Sequence, residues 1–200
     1  MCARAATTAK RAAVAVTIVE TAHGADVYGL PHHAHWDPSA ALVLTRRAAG
    51  LRNHAGQWAL PGGRMEDGEG PEDTALRELC EEVGLELAPE RVMGCLDDFS
   101  TRSGFTITPV VIWGGAGVDL IPNPGEVASV HRIPIAELMR ADAPILEEIP
   151  ESHHPVLLMP VGNSWIAAPT AAMLYQFREV AIMGQATRVA HFEQPYFAWQ

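Results

Sequence analysis

The chain has 200 residues, of which 48% are hydrophobic and 19% are charged, and this composition excludes intrinsically disordered, collagen-like and disulfide-rich proteins. The length suits one domain over residues 1–200, with a loose leader at 1–10 and a C-terminal tail at 185–200. The formal net charge is −10, and residues 66–90 alone hold ten acids and one base, so the acidity is a local feature that calls for a local cation partner.

Cysteine usage and hydropathy indicate where the protein works. Cys2, Cys80 and Cys95 are an odd number without CxxC spacing, which argues against a disulfide framework and favours a reducing, cytoplasmic setting. The longest strongly apolar stretch, residues 12–19, is far shorter than the ~20 residues of a membrane span, so we do not expect the chain to be a membrane protein. It follows basic residues as a signal peptide would, but its β-branched composition and Glu20 favour a buried strand.

Apolar periodicity and turn-forming residues predict the elements in chain order. Strands are expected at 12–20 and 40–45, separated by a His-, Gly- and Pro-rich loop at 22–38. An irregular Gly-rich segment at 48–70 precedes a helix at 71–83. The later elements are a hairpin of 91–100 and 104–113, a strand at 126–133, a short helix at 135–140, a strand pair at 156–161 and 164–168, and a helix at 170–183. Such a mixture predicts an α/β or α+β sandwich.

The helix at 71–83 has the clearest end signals. Gly70 is a tolerable N-cap, Pro71 suits the first helical position, and Gly84 suits the stop. At about 100° per residue, one face of the helix is apolar and consists of Leu76, Leu79 and Val83. The roughly opposite face is acidic and consists of Glu78, Glu81 and Glu82. Neighbouring carboxylates repel one another, so either this acidic face is solvated or a cation offsets the repulsion.

A basic segment adjoins the acidic one. Residues 42–64 contain no acid and four arginines, which are Arg46, Arg47, Arg52 and Arg64. Hard divalent cations take oxygen ligands and bridge to phosphate oxygens, so carboxylates beside a basic loop predict a pyrophosphate and metal site. Arg47 and Arg52 are candidates to hold substrate phosphates, the alternative being surface ion pairs with the acidic segment. Nucleic-acid binding is disfavoured because it needs an extended basic face.

The residues around the helix resemble the Nudix box. All nine fixed positions of that motif are present at its spacing: Gly63, Glu69, Arg77-Glu78-Leu79, Glu81-Glu82 and Gly84-Leu85. The resemblance implies an α/β/α sandwich with a mixed sheet, Mg²⁺ or Mn²⁺ as cofactor, and hydrolysis of the pyrophosphate in a nucleoside diphosphate linked to another moiety. It also implies metal binding by Glu78, Glu81 and Glu82, with the carbonyl of Gly62 joining them. Gly63, Glu69, Arg77 and Gly84 would support the site.

The general base is left open, because Nudix enzymes differ in where it lies. Glu78 and Glu82 are catalytic candidates within the box. Glu126, at the start of a predicted strand, is a third, since related enzymes often supply a carboxylate from outside the box. Glu147 and Glu148 are further alternatives.

The segment before the box is similar to the extra signature of the coenzyme A pyrophosphatase branch. The similarity rests on Val43-Leu44-Thr45, Arg47, Arg52, Gly56 and Leu60-Pro61-Gly62-Gly63. It implies coenzyme A or its derivatives as substrate, with 3′,5′-ADP and phosphopantetheine as products. ADP-ribose, dinucleotides, oxidised nucleoside triphosphates and a non-catalytic nucleotide-sensing role stay open. The apolar tail is compatible with docking on the body, lining a substrate pocket or contacting a second copy in a homodimer.

Overall fold

The structure, a computed structural model, describes residues 10–50 and 56–195. Within these ranges the strands are β1 (Lys10–Gly24), β2 (His32–Arg47), β3 (Trp58–Ala59), β4 (Gly62–Arg64), β5 (Val92–Cys95), β6 (Phe99–Ser100), β7 (Phe105–Gly115), β8 (Val127–Pro134), β9 (Ile145–Glu147), β10 (Val156–Val161) and β11 (Ser164–Ala167). The helices are α1 (Pro71–Val83), α2 (Ile135–Leu138) and α3 (Thr170–Phe177). A 3₁₀ turn covers Pro89–Arg91, and α3 continues into a π-helical turn over Arg178–Ile182.

The larger sheet is mixed and is organised around β1. Strand β7 runs parallel to β1 on one side, while β4 and β2 run antiparallel to successive parts of β1 on the other. Strand β2 also pairs with β3 and β8, and β7 pairs with β5 and β6. A second, antiparallel sheet has the order β11-β10-β9. This mixed α+β architecture is the fold class expected from the sequence.

The period-two alternation of β1 divides the core into two layers. Ala13, Ala15 and Val19 belong to the cluster that packs against α1, whereas Val16 belongs to the cluster under α3 and the second sheet. The α1 helix therefore covers one face of the larger sheet, and the smaller sheet together with α3 covers the other. The predicted sandwich is present, and its third layer contains strands as well as a helix.

The loop predicted at 22–38 is confirmed only at 25–31, because β1 continues to Gly24 and β2 begins at His32. Residues 32–38 belong to β2, where His32 pairs with Gly24 and Asp37 with Ala22. Their side chains are mostly exposed, so the segment has no apolar alternation to identify it as a strand. The register shifts between Glu20 and Ala22, opposite Pro38, which lets a residue without an amide hydrogen lie within the strand.

The other elements follow the sequence closely. The predicted strands at 12–20, 40–45, 126–133, 156–161 and 164–168 are present, and α1 has the predicted bounds. Three short strands, β3, β4 and β9, were not predicted, because two or three residues are too few to show a period. The predicted helix at 170–183 is α-helical only as far as Phe177. Among the helices of the described ranges, none combines the length and the hydropathy that a membrane span requires.

Candidate active site

Two backbone hydrogen bonds fasten the turn before β8 to the end of α1. The amide of Ile121 donates to the carbonyl of Val83 (2.8 Å), and that of Asn123 donates to the carbonyl of Glu82 (2.9 Å). The chain then reaches Glu126, whose carbonyl accepts the amide of Ala48 at 2.9 Å. This anchoring holds Glu126 opposite the helix face that carries the glutamates.

Three carboxylates meet at this point. One carboxylate oxygen from each of Glu78, Glu82 and Glu126 lies within 4.8 Å of the other two. Glu78 and Glu82 are only 9% and 4% exposed, so two of the three glutamates on the acidic face of α1 are covered rather than solvated. Glu126 is exposed and leaves the group open on one side. We call these three residues the carboxylate cluster.

The electrostatics of the cluster favour a cation. Burial, reinforced by the negative charge of Glu78, raises the pKa of Glu82 to about 7, although the backbone of Gly62 and the charge of Arg47 act in the opposite direction. Burial also raises the pKa of Glu78. Glu82 Oε2 is buried with no hydrogen-bond partner among the described residues. An all-oxygen donor set with an unpaired buried oxygen and mutual repulsion suits a hard divalent cation.

Gly62 and Gly63 allow the backbone of β4 to approach both the cluster and β1 closely. A Cβ atom at Gly63 would lie 2.0 Å from Glu78 Oε1, so the backbone of β4 lies directly against that carboxylate. A Cβ atom at Gly62 would lie 2.4 Å from the carbonyl oxygen of Ala13 in β1. Gly84, at the other end of α1, has φ 69°, a left-handed conformation that favours glycine.

These contacts give two alanine substitutions opposite expected effects. In Gly63→Ala the new methyl group displaces the flexible Glu78 carboxylate, so we expect activity to fall about tenfold while the melting temperature changes little. In Gly62→Ala it meets rigid backbone of β1, so we expect a loss of roughly 1–3 kcal/mol of stability. Thermal unfolding and steady-state kinetics of both variants check this. A stable and fully active Gly63→Ala protein would contradict it.

Arg77 ties the loop to the helix. Its Nε donates to Glu69 Oε1 (2.8 Å), its Nη1 to Glu78 Oε1 (2.9 Å) and Glu81 Oε2 (3.0 Å), and its Nη2 to the carbonyl of Arg64 (3.1 Å). The hydrogen bond from Arg77 is the main reason that the pKa of Glu69 falls to about 2. The Glu81 carboxylate is half-exposed, is directed to Arg77 and is not part of the carboxylate cluster.

A cavity of about 660 Å³ adjoins the cluster and shares the wall formed by Gly62 and Gly63. This volume is ordinary for a small-molecule site. Its lining includes the predicted Arg47 and several residues that the sequence did not single out as site residues, among them Arg46, Phe105 and Trp165. The predicted Arg52 lies outside the described residues. Gln194 also lines the cavity, so part of the tail reaches it.

Comparison with known proteins identifies relatives of this chain. Residues 34–152 match the model of the NUDIX domain. The uncharacterised Nudix hydrolase NudL of Pectobacterium atrosepticum is 37% identical over 142 residues, which are 70% of this chain and 74% of that protein. NudL of Photorhabdus laumondii is 40% identical over 107 residues, so the chain spans 55% of that relative's length.

Two solved structures share the architecture. A MutT/nudix family protein from Enterococcus faecalis superposes with a TM-score of 0.59 at 17% identity, covering 90% of this chain and 65% of that one. The NUDIX domain of Shewanella oneidensis NrtR, complexed with ADP ribose, has a TM-score of 0.53 at 18% identity, covering 88% of this chain and 90% of that one. At such identities the likeness concerns the fold alone.

The mixed sheet and the loop–helix–loop around α1 thus define a protein of the Nudix fold. With a domain match over residues 34–152 and a relative 37% identical along most of its length, the chain belongs to the Nudix hydrolase family. Hydrolases of this family act on small nucleotide-type substrates and generally use divalent metals.

Proposed function

We propose that the protein hydrolyses the pyrophosphate bond of coenzyme A or its derivatives, releasing 3′,5′-ADP and phosphopantetheine, in the cytoplasm. The observation that carries the hydrolytic part is the carboxylate cluster of Glu78, Glu82 and Glu126, which borders an arginine-lined cavity. The preference for coenzyme A rests on the upstream signature that includes Arg47 and Leu60-Pro61-Gly62-Gly63.

The proposed cofactor is Mg²⁺ or Mn²⁺. Glu78 and Glu82 would hold it together with the carbonyl of Gly62, and Glu81, whose carboxylate contacts Arg77, would join them by turning toward the cluster. When bound, the cation would neutralise charge on the pyrophosphate and on the departing phosphate oxygen. The oxygen donors and the unpaired Glu82 Oε2 support this choice over softer metals.

The chain's own groups have separate tasks in the proposed reaction. Arg47, whose side chain lines the cavity near the cluster, binds pyrophosphate oxygens. Glu126, the exposed member of the cluster, accepts a proton from the attacking water. A bond forms between the water oxygen and one phosphorus, the bond from that phosphorus to the bridging oxygen breaks, and the other phosphate leaves. Glu69 and Arg77 hold the loop and Glu78 in place.

The aromatic lining supports a nucleotide-type substrate. Trp165 on β11 is 49% exposed, and its indole makes no aromatic or cation–π contact in the described part of the chain. The flat face of this indole is therefore available in the cavity. Nucleobases stack on such surfaces.

A product assay by mass spectrometry tests the proposal directly. Coenzyme A, ADP-ribose, NADH and 8-oxo-dGTP are offered separately with Mg²⁺ or Mn²⁺, beside a Glu82→Gln control. We expect 3′,5′-ADP from coenzyme A and none in the control. Cleavage only of another substrate would reject coenzyme A but retain the hydrolytic site. Binding without cleavage of any nucleotide would instead favour a sensing role.

A further inference from the structure

The cavity is positively charged although the chain has a net charge of −10. Arg46, Arg47 and Arg64 line it, and no acidic side chain does among the described residues. The ranges outside the description, 1–9, 51–55 and 196–200, contain no Asp or Glu. The three guanidinium groups are also absent from the ion pairs recorded in the described ranges. An anionic ligand in the cavity would therefore meet three guanidinium groups that have no ion-pair partner in the described ranges.

Arg47 differs from the other two in its position. It is close enough to the carboxylate cluster for its charge to lower the pKa of Glu82. Its Nε is buried without an acceptor in the described part of the chain. This location suits the pyrophosphate that is to be cleaved. Arg47 therefore belongs to the hydrolytic site already proposed.

The guanidinium groups of Arg46 and Arg64 each lie over an aromatic ring. The guanidinium carbon of Arg46 lies 3.8 Å from the ring centre of Trp58, and its Nη1 donates to the carbonyl of Gly56 at 3.0 Å. The guanidinium carbon of Arg64 lies 5.1 Å from the ring centre of Phe105. A guanidinium group over a ring can still bind oxygen atoms through its edge N–H groups, and in Arg46 those not used by the carbonyl of Gly56 remain for a ligand.

The charges of a simple pyrophosphate do not require these two arginines. A pyrophosphate diester carries two negative charges, which a divalent cation at the cluster and Arg47 already oppose. A phosphomonoester elsewhere on the substrate adds about −1.5 to −2 charges and three acceptor oxygens, which matches two fork-shaped donors.

We propose that Arg46 and Arg64 bind a phosphomonoester on the nucleoside part of the substrate, away from the bond that is cleaved. The cavity then selects nucleoside diphosphate derivatives that carry this additional phosphate over those that lack it. The inference rests on the proposed function for the position of the pyrophosphate and adds the residues that determine specificity.

Binding of cleavage-resistant fragments tests the inference without any hydrolysis. Isothermal titration calorimetry in EDTA compares 5′-AMP with 3′,5′-ADP and 2′,5′-ADP, which differ from it by one phosphomonoester. We expect at least one of the bisphosphates to bind about tenfold or more tightly than 5′-AMP. Equal affinity for all three would overturn the inference.

Variants then assign the preference to residues. Arg64 is exposed and its stacking contact is with Phe105, so Arg64→Gln should fold normally, and we expect it to reduce the bisphosphate preference to about threefold or less without weakening 5′-AMP binding. Arg46→Gln, checked by circular dichroism, should act likewise. Arg91→Gln, which removes an exposed arginine outside the cavity, should keep the full preference.

The outcomes separate the two proposals. If both Arg64→Gln and Arg46→Gln retain the wild-type preference, the assignment of Arg46 and Arg64 is wrong even if coenzyme A is hydrolysed. If the preference depends on these arginines but no pyrophosphate substrate is cleaved, this inference holds and the proposed hydrolysis fails.

Discussion

Replacing Glu82 by glutamine is expected to lower turnover by about 10³-fold or more while leaving the protein at least as stable as the wild type. The activity falls because the substitution removes a charged oxygen from the carboxylate cluster. The stability holds because Glu82 is 4% exposed and its Oε2 lacks a partner in the described ranges, so its charge is costly in the absence of a cation.

The pKa of Glu82 determines how the stability difference between Glu82→Gln and the wild type changes with pH. The pKa of Glu82 rises from the ordinary 4.5 to about 7 on folding, so its ionisation opposes folding from about pH 4.5 and does so fully above about pH 7. In EDTA, Glu82→Gln should therefore melt at a higher temperature than the wild type at pH 8, and the difference should vanish near pH 4.5.

Steady-state kinetics and thermal unfolding of Glu82→Gln check both parts. Glu86→Gln, a change at an exposed glutamate just after the helix, is the matched control and should behave as the wild type. A Glu82→Gln protein that loses activity and also melts well below the wild type at pH 8 would indicate a structural role for Glu82 instead.

The local parts of the site could be predicted from the sequence. The bounds of α1 follow from Gly70, Pro71 and Gly84, whose effects extend over one helical turn. The motif spacing also identified Glu69 and Arg77, whose side chains are in contact. The burial of Glu78 and Glu82 was not predictable in this way, because the helical period places them on a polar face, against which the backbone of β4 then lies.

The non-local parts could not be predicted, because they depend on how distant elements pack. Trp165 and Phe105 are 60 positions apart, yet both line the cavity, and neither belongs to a sequence pattern that indicates binding. Arg46 was part of a basic segment, but its stacking on Trp58 depends on the pairing of β2 with β3, a strand of two residues. Glu126 was assigned only through the resemblance, and a turn hydrogen-bonded to α1 places it beside Glu78 and Glu82.

Glu126→Gln is expected to reduce turnover by about 10²-fold while preserving the fold. Glu126 is the exposed member of the carboxylate cluster and takes the proton in the proposed reaction, whereas Glu78 and Glu82 are buried. Loss of a base lowers the rate of the chemical step but changes cation binding little. We therefore expect the Mn²⁺ concentration for half-maximal activity to stay within about threefold of the wild type, in contrast to a much larger shift in Glu82→Gln.

Metal titrations of activity, made alongside melting curves, distinguish the roles of Glu126. Glu90→Gln, at an exposed glutamate in the 3₁₀ turn, is the control for the loss of one negative charge. If saturating Mn²⁺ restores the turnover of Glu126→Gln, Glu126 acts as a ligand, and the proton passes to another group such as Glu78. If turnover is unchanged at every Mn²⁺ concentration, Glu126 has no part in the reaction, and its place in the cluster reflects only the turn that is fastened to α1.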